Sequence, residues 1–142
     1  MHHGSCLCGA VKFEIAGELA GIQLCHCSQC RRANGAAFAA NLPVRAEDFR
    51  LVAGQPKSYE SSPGKERLFC GDCGSPIISR TVSAPGMVRV RAGLLAEPVE
   101  TKAVFHFHTD SRASWLPIAG DLPQYPGERR IACIEVRAFA AR

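Results

Sequence analysis

No stretch of this 142-residue chain is apolar for long enough to span a bilayer, which excludes a membrane-spanning helix. Met1-His2-His3-Gly4-Ser5-Cys6 lacks the apolar run of a secretory signal, so the expected location is the cytoplasm. Thiols there stay reduced, and paired cysteines more often hold metal than form disulfides. His2 and His3 are assigned no role. Internal repeats, low-complexity tracts and long linkers are also missing, so the expectation is one domain over residues 1–142. The basic residues never gather in a block. Arg45, Arg67, Arg80, Arg89, Arg112 and Arg137 are scattered, and a formal charge of +4 makes no case for nucleic acid.

The composition is otherwise that of a globular protein, with 46% hydrophobic and 21% charged residues. A chain of this length buries a real core, so metal would lock the fold rather than replace packing. Thirteen Gly and nine Pro favour short strands over long helices. Val11, Phe13 and Ile15 alternate with Lys12 and Glu14, the period-2 mark of a half-buried strand. Further strands are expected at Ile22–Leu24, Ala36–Leu42 (stopped by Pro43), Lys57–Glu60, Arg67–Phe69, Ile77–Arg80, Val88–Ala92, Val104–His106 and Ile131–Val136. Ser28 is expected to cap a short helical turn closed by Asn34-Gly35, and Ala46–Phe49 reads as another turn. Trp115 to Arg129, interrupted by Pro and Gly, reads as a long surface-hugging loop. The fold class is mainly β with little helix.

What the chain does have is cysteine: eight, seven of them in three clusters. Cys70-Gly71-Asp72-Cys73-Gly74 carries the most specific signal. A C-x-x-C followed by Gly bends the chain so that two sulfurs face one point, the knuckle of structural zinc sites. A redox dithiol would need a βαβ context that is missing here. Cys6 and Cys8, at i and i+2 in an extended segment, point to one side and can complete the tetrahedron across 62 residues of chain. Cys25, Cys27 and Cys30 then remain as a trio, and three protein ligands with a vacant fourth position mark a catalytic zinc. The alternative is a second closed site completed by His26, His106, His108 or an Asp. Seven thiolates and two Zn²⁺ change the net charge by −3, leaving +1. Cys133, between Ala132 and Ile134, reads as a packed core thiol.

Gly4-Ser5-Cys6-Leu7-Cys8-Gly9-Ala10-Val11, Cys25-His26-Cys27-Ser28-Gln29-Cys30-Arg31 and Phe69-Cys70-Gly71-Asp72-Cys73-Gly74-Ser75-Pro76-Ile77 resemble the glutathione-dependent formaldehyde-activating family, which includes centromere protein V relatives. His106-Phe107-His108 through Ser114-Trp115-Leu116 resembles that family's downstream segment, and the resemblance spans roughly residues 4 to 120. It implies an Mss4-like β-tent of small antiparallel sheets. It also implies a structural zinc on Cys6, Cys8, Cys70 and Cys73, and a second zinc on Cys25, Cys27 and Cys30. The implied activity is carbon–sulfur lyase chemistry, run to join glutathione and formaldehyde into S-hydroxymethylglutathione.

A three-thiolate zinc is a weak Lewis acid, better suited to holding a thiol as thiolate or positioning an aldehyde oxygen. His26, pointing away from its neighbours' shared face, reads as a surface or supporting residue, and His106 as a weak candidate base. Arg31 and Arg32 are candidates for pairing with substrate carboxylates. Trp115 could wall a pocket or sit in the core. Two other functions compete: a non-catalytic zinc module that binds protein, and a methionine sulfoxide reductase. The latter needs two C-x-x-C pairs for its zinc and a reactive late Cys; here one pair, Cys6 and Cys8, is C-x-C, and Cys133 is followed by Ile134 and Glu135, so that reading ranks last.

Overall fold

Short alternating segments punctuated by Gly and Pro build sheets, and the computed structural model, which describes residues 1–129, is mainly β. The elements are β1 His2–Ser5, β2 Lys12–Ile15, β3 Ile22–Cys25, α1 Ser28–Asn34, β4 Ala39–Arg45, β5 Phe49–Ala53, β6 Lys57–Ser62, β7 Lys65–Phe69, β8 Pro76–Thr81, β9 Met87–Arg91 and β10 Ala103–Phe107. They form a three-stranded sheet, β1-β2-β5, and a seven-stranded sheet, β10-β3-β4-β9-β8-β7-β6. All pairs are antiparallel except β10 with β3, which runs parallel.

The register of the large sheet separates two faces. One row joins Leu42, Val90, Ile78 and Leu68, all buried. Each such side chain contributes about 1.5–3 kcal/mol on burial. They pack with Phe13 and Ile15 of the small sheet into the main core, which also contains Cys6 and Cys70. The adjacent row, Arg89, Ser79 and Arg67, projects to the other face. Cys25 and Cys30 belong to a second cluster with Ala39, Val104, Phe105 and Phe107. The two cysteine groups therefore sit in different hydrophobic surroundings.

Several expectations change. The strand assigned to Ala36–Leu42 runs from Ala39 to Arg45, through Pro43. Pairing with β3 covers only Ala39–Asn41, so Pro43 is paired on one side, with β9, where a residue lacking N–H is tolerated. Strands β1 and β5 were not expected. Much of β5 is exposed and shows no clean alternation, so its strand character comes from pairing with β2, where Arg50 lies opposite Glu14 and bonds to it at 2.5 Å. The helix is capped by Cys27 rather than Ser28: the Cys27 sulfur accepts from the Cys30 N–H at 3.3 Å. Gly35, at φ 60°, ends the helix as expected. The segment from Trp115 onward is largely exposed irregular chain that returns to β10 through a bridge of Gln124 to His106. The strand expected at 131–136 and the thiol of Cys133 lie outside the described residues. Among those described, no helix is long and apolar enough to cross a membrane.

Candidate metal centres

Two tight turns build the first centre. After Cys6 the chain reverses at Gly9 (φ 79°), with Gly9 N–H donating to the Cys6 carbonyl at 3.1 Å and Val11 N–H to the Cys6 sulfur at 3.3 Å. After Cys70 it reverses at Gly74 (φ 77°), with Gly74 N–H donating to the Cys70 carbonyl at 2.9 Å. Both glycines hold the left-handed conformation that a Cβ disfavours. Ser75 ties the turns together: its hydroxyl accepts from Leu7 N–H at 3.0 Å and lies 3.3 Å from the Cys73 sulfur. Cys6, Cys8, Cys70 and Cys73 thereby bring four sulfurs within 4.8 Å of one another. The Cys6–Cys8 and Cys8–Cys70 separations are 3.6 and 3.8 Å. Sulfurs about 2.3 Å from a tetrahedral zinc would be about 3.8 Å apart.

The second centre forms where β3 runs into α1. Cys25 ends the strand, Cys27 caps the helix, and Cys30 turns back from its first turn. Their sulfurs also lie within 4.8 Å of one another, and among the described residues no His, Asp or Glu joins them at that spacing. The histidines weighed as a fourth ligand are engaged elsewhere. His26 Nε2 and His106 Nδ1 are 2.8 Å apart in a buried pair beside Phe38. His26 is thus a core residue, not a surface one. Burial holds both imidazoles below their ordinary value. His108, at φ 53°, shapes the turn that follows β10.

The thiols oppose one another's ionisation. Against a backbone N–H from Ala10 that favours the thiolate, the neighbouring Cys6 sulfur, burial and the Cys73 and Cys70 sulfurs push Cys8 up to about 12. The Ser75 hydroxyl and backbone N–H groups of Ser75 and Cys8 bring Cys73 down to about 5. In the trio, hydrogen bonds from Cys25 and Cys27 hold the Cys30 thiol far below its usual range, helped by the charges of Arg67 and Lys65. Cys27 and Cys30, with burial, drive Cys25 far up. Cys6, Cys73 and Cys30 are thus drawn toward the thiolate, while Cys8 and Cys25 are held from it. A soft divalent cation bound among these sulfurs would favour their ionised form. The donor sets, four sulfurs and three, therefore fit zinc.

Cationic side chains surround the trio. Arg67 Nη2 lies 3.9 Å from the Cys30 sulfur and 3.4 Å from Gln29 Oε1, while its Nε donates to Ser61 Oγ at 2.9 Å. Arg91 Nη1 donates to Asn41 Oδ1 at 2.7 Å. Neither residue was assigned a role from the sequence, although the two-residue spacings Lys65/Arg67 and Arg89/Arg91 were a readable sign that each pair shares a sheet face. Arg31, a candidate for substrate binding, instead donates from Nε to the Ser111 carbonyl at 3.0 Å, and Arg32 is exposed. Trp115 is 68% exposed and belongs to neither the core nor either centre.

A family model described as glutathione-dependent formaldehyde-activating enzyme matches residues 1–111. A protein of Halomonas elongata, to which that activity is ascribed by name, is 36% identical over 83 residues, covering 52% of either sequence. The chain thus spans about half the length of that curated relative. The crystal structure of a Rhodobacter sphaeroides protein from a structural genomics programme superimposes with a TM-score of 0.57 at 32% identity, over 68% of this chain and 89% of that one.

Proposed function

The chain belongs to the glutathione-dependent formaldehyde-activating enzyme family, and from that premise we propose that it is a zinc-dependent enzyme of carbon–sulfur lyase type acting on the adduct of glutathione, or a related thiol, with an aldehyde. In this reading Cys6, Cys8, Cys70 and Cys73 hold a structural zinc, and Cys25, Cys27 and Cys30 hold a second with one position free. Zinc bound at the trio would supply positive charge that favours the ionised form of a substrate thiol.

The chain's own residues do the rest. Strand β3 and helix α1 set the three sulfurs on one side of a fixed frame, so the reacting groups meet in a defined place instead of by random encounter. His26, the residue between Cys25 and Cys27, is tied to His106 of β10, which steadies that segment. Arg67, beside Cys30, places a fixed positive charge next to a site where negative charge gathers.

The observation that carries the reading is the contrast of four sulfurs in one centre with three in the other, which no further His, Asp or Glu among the described residues joins. Cobalt replacement tests it. Two cobalt ions per chain are expected, and glutathione should perturb the sulfur-to-cobalt absorption of one of them. That perturbation should vanish in Cys27→Ala. An unchanged spectrum on adding glutathione, or a change that persists in Cys27→Ala, would sink the reading.

A further inference from the structure

One face of the large sheet carries both the cysteine trio and a group of buried cations. Cys25 lies two residues from Gln23 on β3, Gln23 pairs with Asn41 on β4, and Asn41 pairs with Arg91 on β9. Residues opposite one another in register share a face, as do residues two apart. Arg89 follows on the same face, and Ser79 of β8 separates it from Arg67 of β7. Positions that are far apart in the chain thus become neighbours on a single surface.

Arg67 and Arg91 are only 8% and 5% exposed. The partners of their guanidinium groups are the neutral oxygens of Ser61, Gln29, Asn41 and Arg89, and the Cys30 sulfur. Arg67 Nη1 and Arg91 Nε are buried with no hydrogen-bond partner among the described residues. Unpartnered buried donors on a cation are costly, and a native structure seldom keeps them without a use. A trio of thiolates holding one divalent ion would carry only −1, so positive charge on this face remains in excess even with the centre loaded. Both arginines line a cavity of about 260 Å³ whose other walls include Ala33, Tyr59, Phe69 and Pro76. Its lining is mostly apolar apart from the two arginines, and Arg67 also lies 3.9 Å from the Cys30 sulfur.

We propose that Arg67 and Arg91 form an anion subsite that takes a carboxylate of the thiol substrate. The guanidinium fork matches a carboxylate's two oxygens, and the apolar walls suit the substrate's hydrocarbon frame. The proposal rests on the thiol–aldehyde reading above and deepens it: the enzyme selects thiols that carry a carboxylate, and a neutral thiol of the same size is a poor ligand.

Calorimetric titration of the metal-loaded protein tests this with two thiol-capped probes, S-methylglutathione and its diethyl ester. The free acid should bind at least about tenfold more tightly than the diester, the worth of one charge-assisted hydrogen bond. Arg91→Gln, which touches no cysteine, should collapse that ratio to near one. Arg91→Lys should restore part of it. Circular dichroism and metal content establish that the variants are folded, and the two-probe ratio in the unaltered protein needs no variant. Equal binding of the two probes, binding of neither, or a ratio that survives in both Arg67→Gln and Arg91→Gln overturns the subsite. A parallel turnover assay with glutathione and formaldehyde keeps the two claims apart. A strong ratio without turnover leaves the subsite standing and removes the enzymatic reading, whereas turnover with equal probe binding does the reverse.

Discussion

With the proposed zinc held by Cys6, Cys8, Cys70 and Cys73, replacing Cys73 by alanine would cut a staple that joins the N-terminal turn to the middle of the chain, and the structure sets the size of the effect. Cys8 and Cys70 are 62 residues apart in sequence and 3.8 Å apart at sulfur. Treating the loaded centre as a cross-link over that loop, the chain-entropy relation gives about 4 kcal/mol of stabilisation. In the other centre the outermost ligands, Cys25 and Cys30, are five residues apart, and the same relation gives only about 2 kcal/mol. Cys73 is a cleaner target than Cys70, which is fully buried in the main core and whose truncation would add a cavity. For a domain of this length Cys73→Ala should lower the melting temperature by on the order of 15 °C, and Cys27→Ala by about half as much. Thermal unfolding followed by circular dichroism in zinc-containing buffer, with elemental analysis of each sample, reads both numbers. Cys27→Ala should keep one zinc and its fold. Equal shifts for the two variants, or an unchanged melting temperature in Cys73→Ala, would refute the division into a long-range staple and a local centre.

His106→Leu should cost about 1–3 kcal/mol in chemical denaturation, because it leaves the buried His26 Nε2 without its partner. A stability equal to that of the unaltered protein would mean the imidazole pair contributes nothing. Gly4→Ala places a Cβ in steric overlap with Cζ at the tip of the fully buried Phe13 ring and should cost about 1–3 kcal/mol by overpacking. Gly86→Ala, with open space at the same position of its side chain, should stay within about 0.5 kcal/mol in the same melts and serves as the control.

The cysteine centres are legible in the chain because their geometry is mostly local. A sulfur knuckle needs only a C-x-C or C-x-x-C run and a glycine able to take positive φ, and Gly9 and Gly74 both take it. Helix α1 and most strands are legible for the same reason: turn residues and alternation act over a few positions. The role of Ser75, by contrast, depends on two turns meeting across the molecule. Pro43 sits inside a strand because β3 ends its pairing before reaching it, a fact of sheet order that no local pattern contains. The histidines divide likewise: their adjacency to cysteines is sequence, while the 80-residue span between His26 and His106 is closed by the parallel pairing of β10 with β3.

The basic residues make the separation plainest. Along the chain they look dispersed, and their spacing marks no site. Strand register brings Lys65, Arg67, Arg89 and Arg91 onto one sheet face, that of Cys25, and buries Arg67 and Arg91 with donors that find no partner among the described residues. Ligand spacing is written into neighbouring residues, so the sequence by itself determines the local sulfur pairs and the trio, whereas the fold brings Cys6 and Cys8 onto Cys70 and Cys73. The surroundings of those clusters arise from which strands lie side by side, a choice made by the packing energy of the whole core.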